Sequence, residues 1–104
     1  MSEKGLSIQI TGLLNKVFIR HLLIEKAVLF GSRAKGIARN NSDIDIALYG
    51  IINELEIEAV SFELDELPLP YKFDVKAFES IKNIALRKHI ERVGICIYKK
   101  ENSL

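Results

Sequence analysis

Two aspartates inside a strand pattern constrain this chain more than any other feature. Asp43-Ile44-Asp45-Ile46-Ala47-Leu48 alternates with period 2, the spacing of a β-strand with one apolar face. Asp43, Asp45 and Ala47 therefore share one face, and Ile44, Ile46 and Leu48 share the other. Asp is depleted in strands, and neighbouring carboxylates on one face repel unless something neutralises them. A divalent cation is the usual answer, and all-oxygen ligands favour Mg²⁺ or Mn²⁺. Upstream, Ala27-Val28-Leu29-Phe30 reads as a short buried strand that stops at Gly31-Ser32. A small basic segment with Arg33, Lys35, Gly36 and Arg39 follows, and Asn40-Asn41-Ser42 turns the chain into the aspartate strand.

The rest of the chain supplies elements to pack around this strand–turn–strand unit. Ile10, Leu13, Leu14, Val17, Phe18 and Leu22 recur at helical spacing, which predicts a helix capped by Ser7 and ending near Glu25. His21 lies beside that stripe and reads as a surface or boundary residue rather than a ligand. Ser32–Ile37 is expected to form a short helix, and Asp43–Tyr49 a strand closed by Gly50. Ile51–Leu67 reads as a second long helix ended by Pro68. It carries two apolar stripes: Ile52, Leu55, Ala59 and Phe62, and separately Ile57, Val60, Leu64 and Leu67. Such a helix either packs deep in its own core, the preferred expectation, or offers one stripe to a partner.

Beyond the Leu69-Pro70 connector, Tyr71–Phe78 alternates again, with Phe73, Val75 and Ala77 opposite Asp74, Lys76 and Phe78. Ser80 is expected to cap a last helix through Ile81, Ile84, Ala85, Ile90 and Val93, with Gly94 as its stop. His89 falls on that helix among charged residues, which suggests a solvated face. Ile95–Tyr98 is a fourth strand, with the lone Cys96 as a small core residue. Residues 1–6 and 99–104 are expected to fray. The order α-β-(α)-β-α-β-α-β indicates an α/β (α+β) domain with a mixed sheet of about four strands. At 104 residues the expectation is a single domain over 1–104.

Charge and motifs exclude several functions. A net charge of +1 gives no basic field to hold a long nucleic acid. No apolar run reaches transmembrane length and no signal peptide is visible, so no membrane is expected and the cytoplasm is the default compartment. A Walker A loop would need lysine and a hydroxyl after Gly36, where Ile37-Ala38 stands. There is no G-x-G-x-x-G, and an EF-hand begun at Asn41 would need Gly where Ile46 is found. Zinc patterns of the H-x-E-x-x-H or C-x-x-C kind are also missing.

What remains is Gly31-Ser32, ten residues, then Asp43-x-Asp45, with a third strand aspartate at Asp74. This set resembles the nucleotidyltransferases of the DNA polymerase β superfamily. It is most similar to the minimal nucleotidyltransferase (MNT) family, whose members pair with HEPN-domain proteins. The likeness runs through LFGSRAKG, SDIDIA, LPLPYKFDV and KHIERVGICIY, essentially the whole chain. It implies a polymerase-β-like fold in which Asp43, Asp45 and Asp74 are catalytic and hold two Mg²⁺ ions, or Mn²⁺. It implies ATP as substrate, with Gly31, Ser32 and Arg33 binding the nucleotide and Lys35 a further candidate to neutralise the triphosphate. It also implies a HEPN-domain ribonuclease toxin as partner, silenced when AMP is added to one of its tyrosines. Nothing in the motif is eroded, so an active enzyme is expected. Two other functions stay open: a non-catalytic antitoxin that masks the toxin, and, more weakly, an aminoglycoside-type nucleotidyltransferase, disfavoured because no acceptor-binding domain is visible. Homo- or hetero-oligomerisation is also left open.

Overall fold

The structure, a computed structural model, describes residues 6–36 and 43–101. The expected turn at Asn40-Asn41-Ser42, together with Ile37, Arg39 and residues 1–5 and 102–104, lies outside the described residues. In chain order the elements are α1 (Ile8–Phe18), β1 (Lys26–Phe30), α2 (Ser32–Lys35), β2 (Ile44–Tyr49), α3 (Glu54–Asp65), β3 (Phe73–Ala77), a 3₁₀ turn (Phe78–Ser80), α4 (Ile84–Val93) and β4 (Ile95–Lys99). The four strands form one sheet in the order β3-β2-β1-β4. Strand β1 runs antiparallel to both β2 and β4, whereas β2 and β3 are parallel and α3 makes the crossover between them. The sheet is mixed, as the element order requires.

The period-2 pattern decides what each face of the sheet carries. Ala27 and Leu29 of β1 and Ile44, Ile46 and Leu48 of β2 point into the larger core. Leu14, Val17 and Phe18 of α1 and Ile57, Val60 and Leu64 of α3 cover them from above. On the opposite face Val28, Phe30 and Ala47 meet Phe78 and Ile90, a much smaller cluster under α4. Of the two stripes on α3, only the one through Ile57, Val60 and Leu64 is buried. Ile52, Leu55, Ala59 and Phe62 face solvent, so the expectation of a helix deep in its own core is not met.

Several boundaries differ from the sequence expectation, each for a local reason. Helix α1 keeps its Ser7 cap, with Ile10 N–H donating to Ser7 Oγ at 3.2 Å, but it stops at Phe18 rather than near Glu25. The amides of Arg20 and His21 bond three residues back, to Val17 and Phe18, and this tightens the chain into a turn. His21 is a boundary residue with a job there: its side chain is only 10% exposed, and Nδ1 and Nε2 each lie 2.9 Å from a carboxylate, of Glu56 and Glu63 respectively. Asn83, not Ser80, caps α4 by accepting from Leu86 N–H at 3.0 Å, because Ser80 is used in the 3₁₀ turn and Ile81 is extended. Gly94 ends α4 with φ −64°, so it is no left-handed stop. A Cβ there would strike the Ile90 carbonyl and Val28, so close approach is what requires glycine.

Cys96 is exposed on β4 rather than in the core, and His89 is half-covered with its ring edge-on to Phe30 at 6.3 Å. The expected frayed ends also hold more than predicted. Leu6 is buried, Lys99 belongs to β4, and Lys100 N–H donates to the Glu25 carbonyl at 2.9 Å. Among the described residues no helix is long and apolar enough to cross a membrane.

Candidate active site

The register of the parallel β2–β3 pair brings two of the three aspartates together. In the β2–β3 register Asp45 stands opposite Asp74, with Ile44 opposite Phe73. Asp43 immediately precedes β2 and is exposed. The pairing is fixed at its open end by Ile44 N–H donating to the Lys72 carbonyl at 2.8 Å. Across the other side of β2, Asp45 is opposite Phe30, the last residue of β1. The carboxylates thus gather where β1 ends and where β2 and β3 begin.

Gly31 closes this end from the β1 side. Its backbone, at φ 78° and ψ −153°, occupies a region open essentially to glycine alone. A Cβ at that position would also overlap the Asp45 carboxylate. Glycine is therefore required twice, by conformation and by close approach. It is followed at once by α2, whose Lys35 N–H donates back to the Gly31 carbonyl at 3.2 Å, leaving Ser32 and Arg33 at the lip of the site.

Among the described residues, burial and neighbouring carboxylates dominate the electrostatics at Asp45. Burial pushes the Asp45 carboxyl above the usual carboxylate range, and the charges of Asp74 and then Asp43 push it further, with Lys76 acting the other way. At the cluster Lys76 Nζ lies 3.7 Å from Asp74 Oδ1, and Asp74 remains 51% exposed. A pair that long and that open to water neutralises little. Three hard oxygen donors with raised mutual repulsion suit Mg²⁺ or Mn²⁺. Among the described residues no three His, Cys, Asp or Glu side chains close around a single point.

The two basic residues after Gly31 diverge. The Arg33 guanidinium lies over the Tyr71 ring, 4.6 Å from its centroid, so a residue just ahead of β3 holds it on the β3 side of the site. Lys35 is exposed and lies on the α4 side, where burial first, and then Lys35 and Arg92, push the His89 imidazole below its ordinary pKa. Of the residues expected at the site, Asp45, Asp74 and Gly31 are brought together and Asp43, Ser32 and Arg33 sit at its rim. Tyr71 and Lys76 were not singled out by the sequence. Lys76 was legible through its period-2 relation to Asp74, whereas nothing in the order of residues announced Tyr71 as a platform for Arg33.

The family profile described as polymerase beta, nucleotidyltransferase matches residues 13–103. No curated protein sequence matches the chain. Three solved structures share its fold. A toxin–antitoxin crystallised with AMP-PNP is 20% identical, with a TM-score of 0.73 over 88% of this chain and 74% of that one. The toxin–antitoxin MntA–HepT is 18% identical, with a TM-score of 0.67 over 88% of this chain and 72% of that one. A tri-AMPylated Shewanella oneidensis HEPN toxin in complex with its MNT antitoxin is also matched, at 18% identity and a TM-score of 0.60 over 86% of this chain and 73% of that one. At such identities the likeness is one of fold. The profile spans nearly the whole chain, and so this chain belongs to the polymerase β nucleotidyltransferase family.

Proposed function

We propose that this chain is an Mg²⁺-dependent protein adenylyltransferase, an MNT antitoxin that transfers AMP from ATP to a tyrosine of a HEPN-domain toxin. The observation that carries the reading is the register pairing of Asp45 with Asp74 against the Gly31 turn. Nucleotidyl transfer needs a cluster of carboxylates beside a backbone that can approach a triphosphate closely, and this end of the sheet offers both. The fold neighbours add support, since one holds AMP-PNP and another is the complex of an AMPylated HEPN toxin.

In this reading Asp43, Asp45 and Asp74 hold the divalent cations. Bound there, the metal would neutralise charge on the α-phosphate and the departing pyrophosphate and lower the pKa of the attacking hydroxyl. Gly31 lets the β- and γ-phosphates approach the backbone, Ser32 donates its hydroxyl to a phosphate oxygen, and Arg33 faces the triphosphate charge. Asp74, the outermost strand carboxylate, meets the incoming tyrosine and accepts its phenolic proton. The phenolate oxygen then bonds to the α-phosphorus as the bond to the β-phosphate oxygen breaks and pyrophosphate leaves.

The test is a mass spectrum of the HEPN toxin after incubation with this protein, ATP and Mg²⁺. The expected result is a gain of one or more AMP units, absent with Asp43→Ala or Asp45→Ala. A second reading, neutralisation by masking alone, is favoured by the exposed Leu55 and Phe62 of α3. A toxin that is bound and silenced without gaining mass would establish masking in place of transfer.

A further inference from the structure

The outer face of α3 carries a pattern that its own fold does not use. Leu55, Ala59 and Phe62 follow the four–three spacing of a helix–helix seam, and Ile52 extends the line just ahead of the Asn53 cap. Leu55 is 74% exposed, Ile52 72% and Phe62 66%, although the same helix buries Ile57, Val60 and Leu64 on its other side. Nothing within the described chain covers the seam.

The charged side chains that α3 itself sets around the seam are all acidic. Glu58 and Asp65 border it on one side and Glu56 and Glu63 on the other, with Glu54 and Glu66 at its ends. From residue 40 to residue 71 the sequence holds no Lys, Arg or His. Glu56 and Glu63 are engaged by His21, and Glu63 also by Arg20 at 2.7 Å, but Glu54, Glu58, Asp65 and Glu66 are exposed and form no ion pair among the described residues. Two of these acids stand at the wrong end of the helix. Asp65 and its neighbour Glu66 sit at the C-terminus, where the macrodipole is negative and cations are preferred. Helix stability does not ask for acids there, whereas a cationic partner would.

From this we infer that the outer face of α3 docks a basic amphipathic helix of the acceptor protein, its apolar side on Leu55, Ala59 and Phe62 and its Lys or Arg residues against Glu58, Asp65 and Glu66. The inference rests on the adenylyltransferase reading for the identity of the acceptor as a HEPN toxin. A second copy of this chain fits less well, because the side chains that α3 sets along both borders of the seam are acidic and the basic residues beside it, Arg20 and His21, are already engaged by Glu56 and Glu63. An anionic lipid surface is repelled for the same reason. The site is also well placed for catalysis. Helix α3 packs on β3, whose opposite face carries Asp74 at the sheet edge. A partner seated on α3 therefore reaches the carboxylates by passing round that edge.

The experiment measures affinity for the HEPN toxin, and AMP transfer to it, for four proteins: the natural chain, Leu55→Glu/Phe62→Glu, Glu58→Lys/Asp65→Lys, and Asp45→Ala. Thermal melts and ATP binding verify that the α3 variants remain folded. The apolar double variant is expected to bind about 30-fold more weakly or worse, the loss typical of removing central anchors. The charge reversal is expected to weaken binding and to abolish its decline between about 50 mM and about 300 mM salt. Asp45→Ala is expected to bind as the natural chain does. If Leu55→Glu/Phe62→Glu binds and modifies the toxin normally, the docking surface is wrong and the enzymatic reading stands. If binding falls in the α3 variants but the natural chain transfers no AMP, the enzymatic reading fails and the docking surface stands. A natural chain that does not bind the toxin at all overturns the inference. So does one that dimerises in sedimentation and becomes monomeric in the apolar double variant.

Discussion

The two faces of the sheet are built to opposite specifications. One is covered along its length by α1 and α3, which close over Ile44, Ile46, Leu48 and Leu29 without a buried polar side chain among the described residues. The other is covered only in part, where α4 meets Val28, Ala47 and Phe78, and its open end holds Asp45 and Asp74. Along β2 the two specifications alternate residue by residue, because successive side chains point to opposite faces. A single strand thus anchors the core with its isoleucines and arms the site with its aspartates. The closed face secures a position for charges that would otherwise repel the strands from one another.

The sharpest way to test that division is to damage each side and compare. Leu64→Ala removes a fully buried side chain from the closed face, and denaturant melts are expected to show a loss of about 2–5 kcal/mol. Gly31→Ala, at the open end, introduces a Cβ into a glycine-only conformation and against Asp45, with an expected loss of about 1–3 kcal/mol. Its effect on AMP transfer should exceed its effect on stability, since the displaced group is a proposed metal ligand.

Asp45→Asn should act in the reverse direction and leave the fold at least as stable. The Asp45 carboxyl is held above its usual 3.8 by burial and by Asp74 and Asp43, so folding favours its protonated form. That contribution is complete below the unfolded value and is lost as pH rises through the higher folded value. Melts of the natural chain should therefore lose stability over the window just above pH 3.8, relative to Asp45→Asn. Added Mg²⁺ with ATP should raise the melting temperature of the natural chain and not that of the variant.

On the covered side the sign is opposite, and the effect is the smallest of the four. Hydrogen bonding to Arg20, and then the bond and charge of His21, hold Glu63 below its usual 4.5. Its contribution is present above that value and is lost as pH falls through the lowered one. Glu63→Gln should cost less than about 1 kcal/mol near neutral pH and nothing in strong acid, as expected for an exposed ion pair. A strap that weakens in acid and a carboxylate cluster that relaxes in acid would make the two sides separable in one pH series.

The sequence made much of this division legible, and the reasons for the gaps are physical. Alternation around Asp43–Leu48 gave both faces of β2, and the same alternation at Asp74 gave its partner, because the β2–β3 register runs without a bulge. The glycine at position 31 announced a turn but not its overlap with Asp45, which depends on the register between β1 and β2. Helical spacing carried α1 too far, since Leu22 continues the stripe although the chain has already turned at Arg20 and His21. The same limit applies to α3. A seam of Leu55, Ala59 and Phe62 looks alike in sequence whether it is buried by its own domain or left for another chain. Ser80 and Asn83 are both competent caps, and the 3₁₀ turn at Phe78–Ser80 decides between them.

The most direct measurement of the central claim is anomalous scattering from crystals grown with Mn²⁺ and a non-hydrolysable ATP analogue. The account predicts metal peaks bridging Asp45 and Asp74, with Asp43 within reach and the triphosphate against the Gly31 turn. Nucleotide bound elsewhere, or metal peaks away from these carboxylates under saturating Mn²⁺, would contradict it.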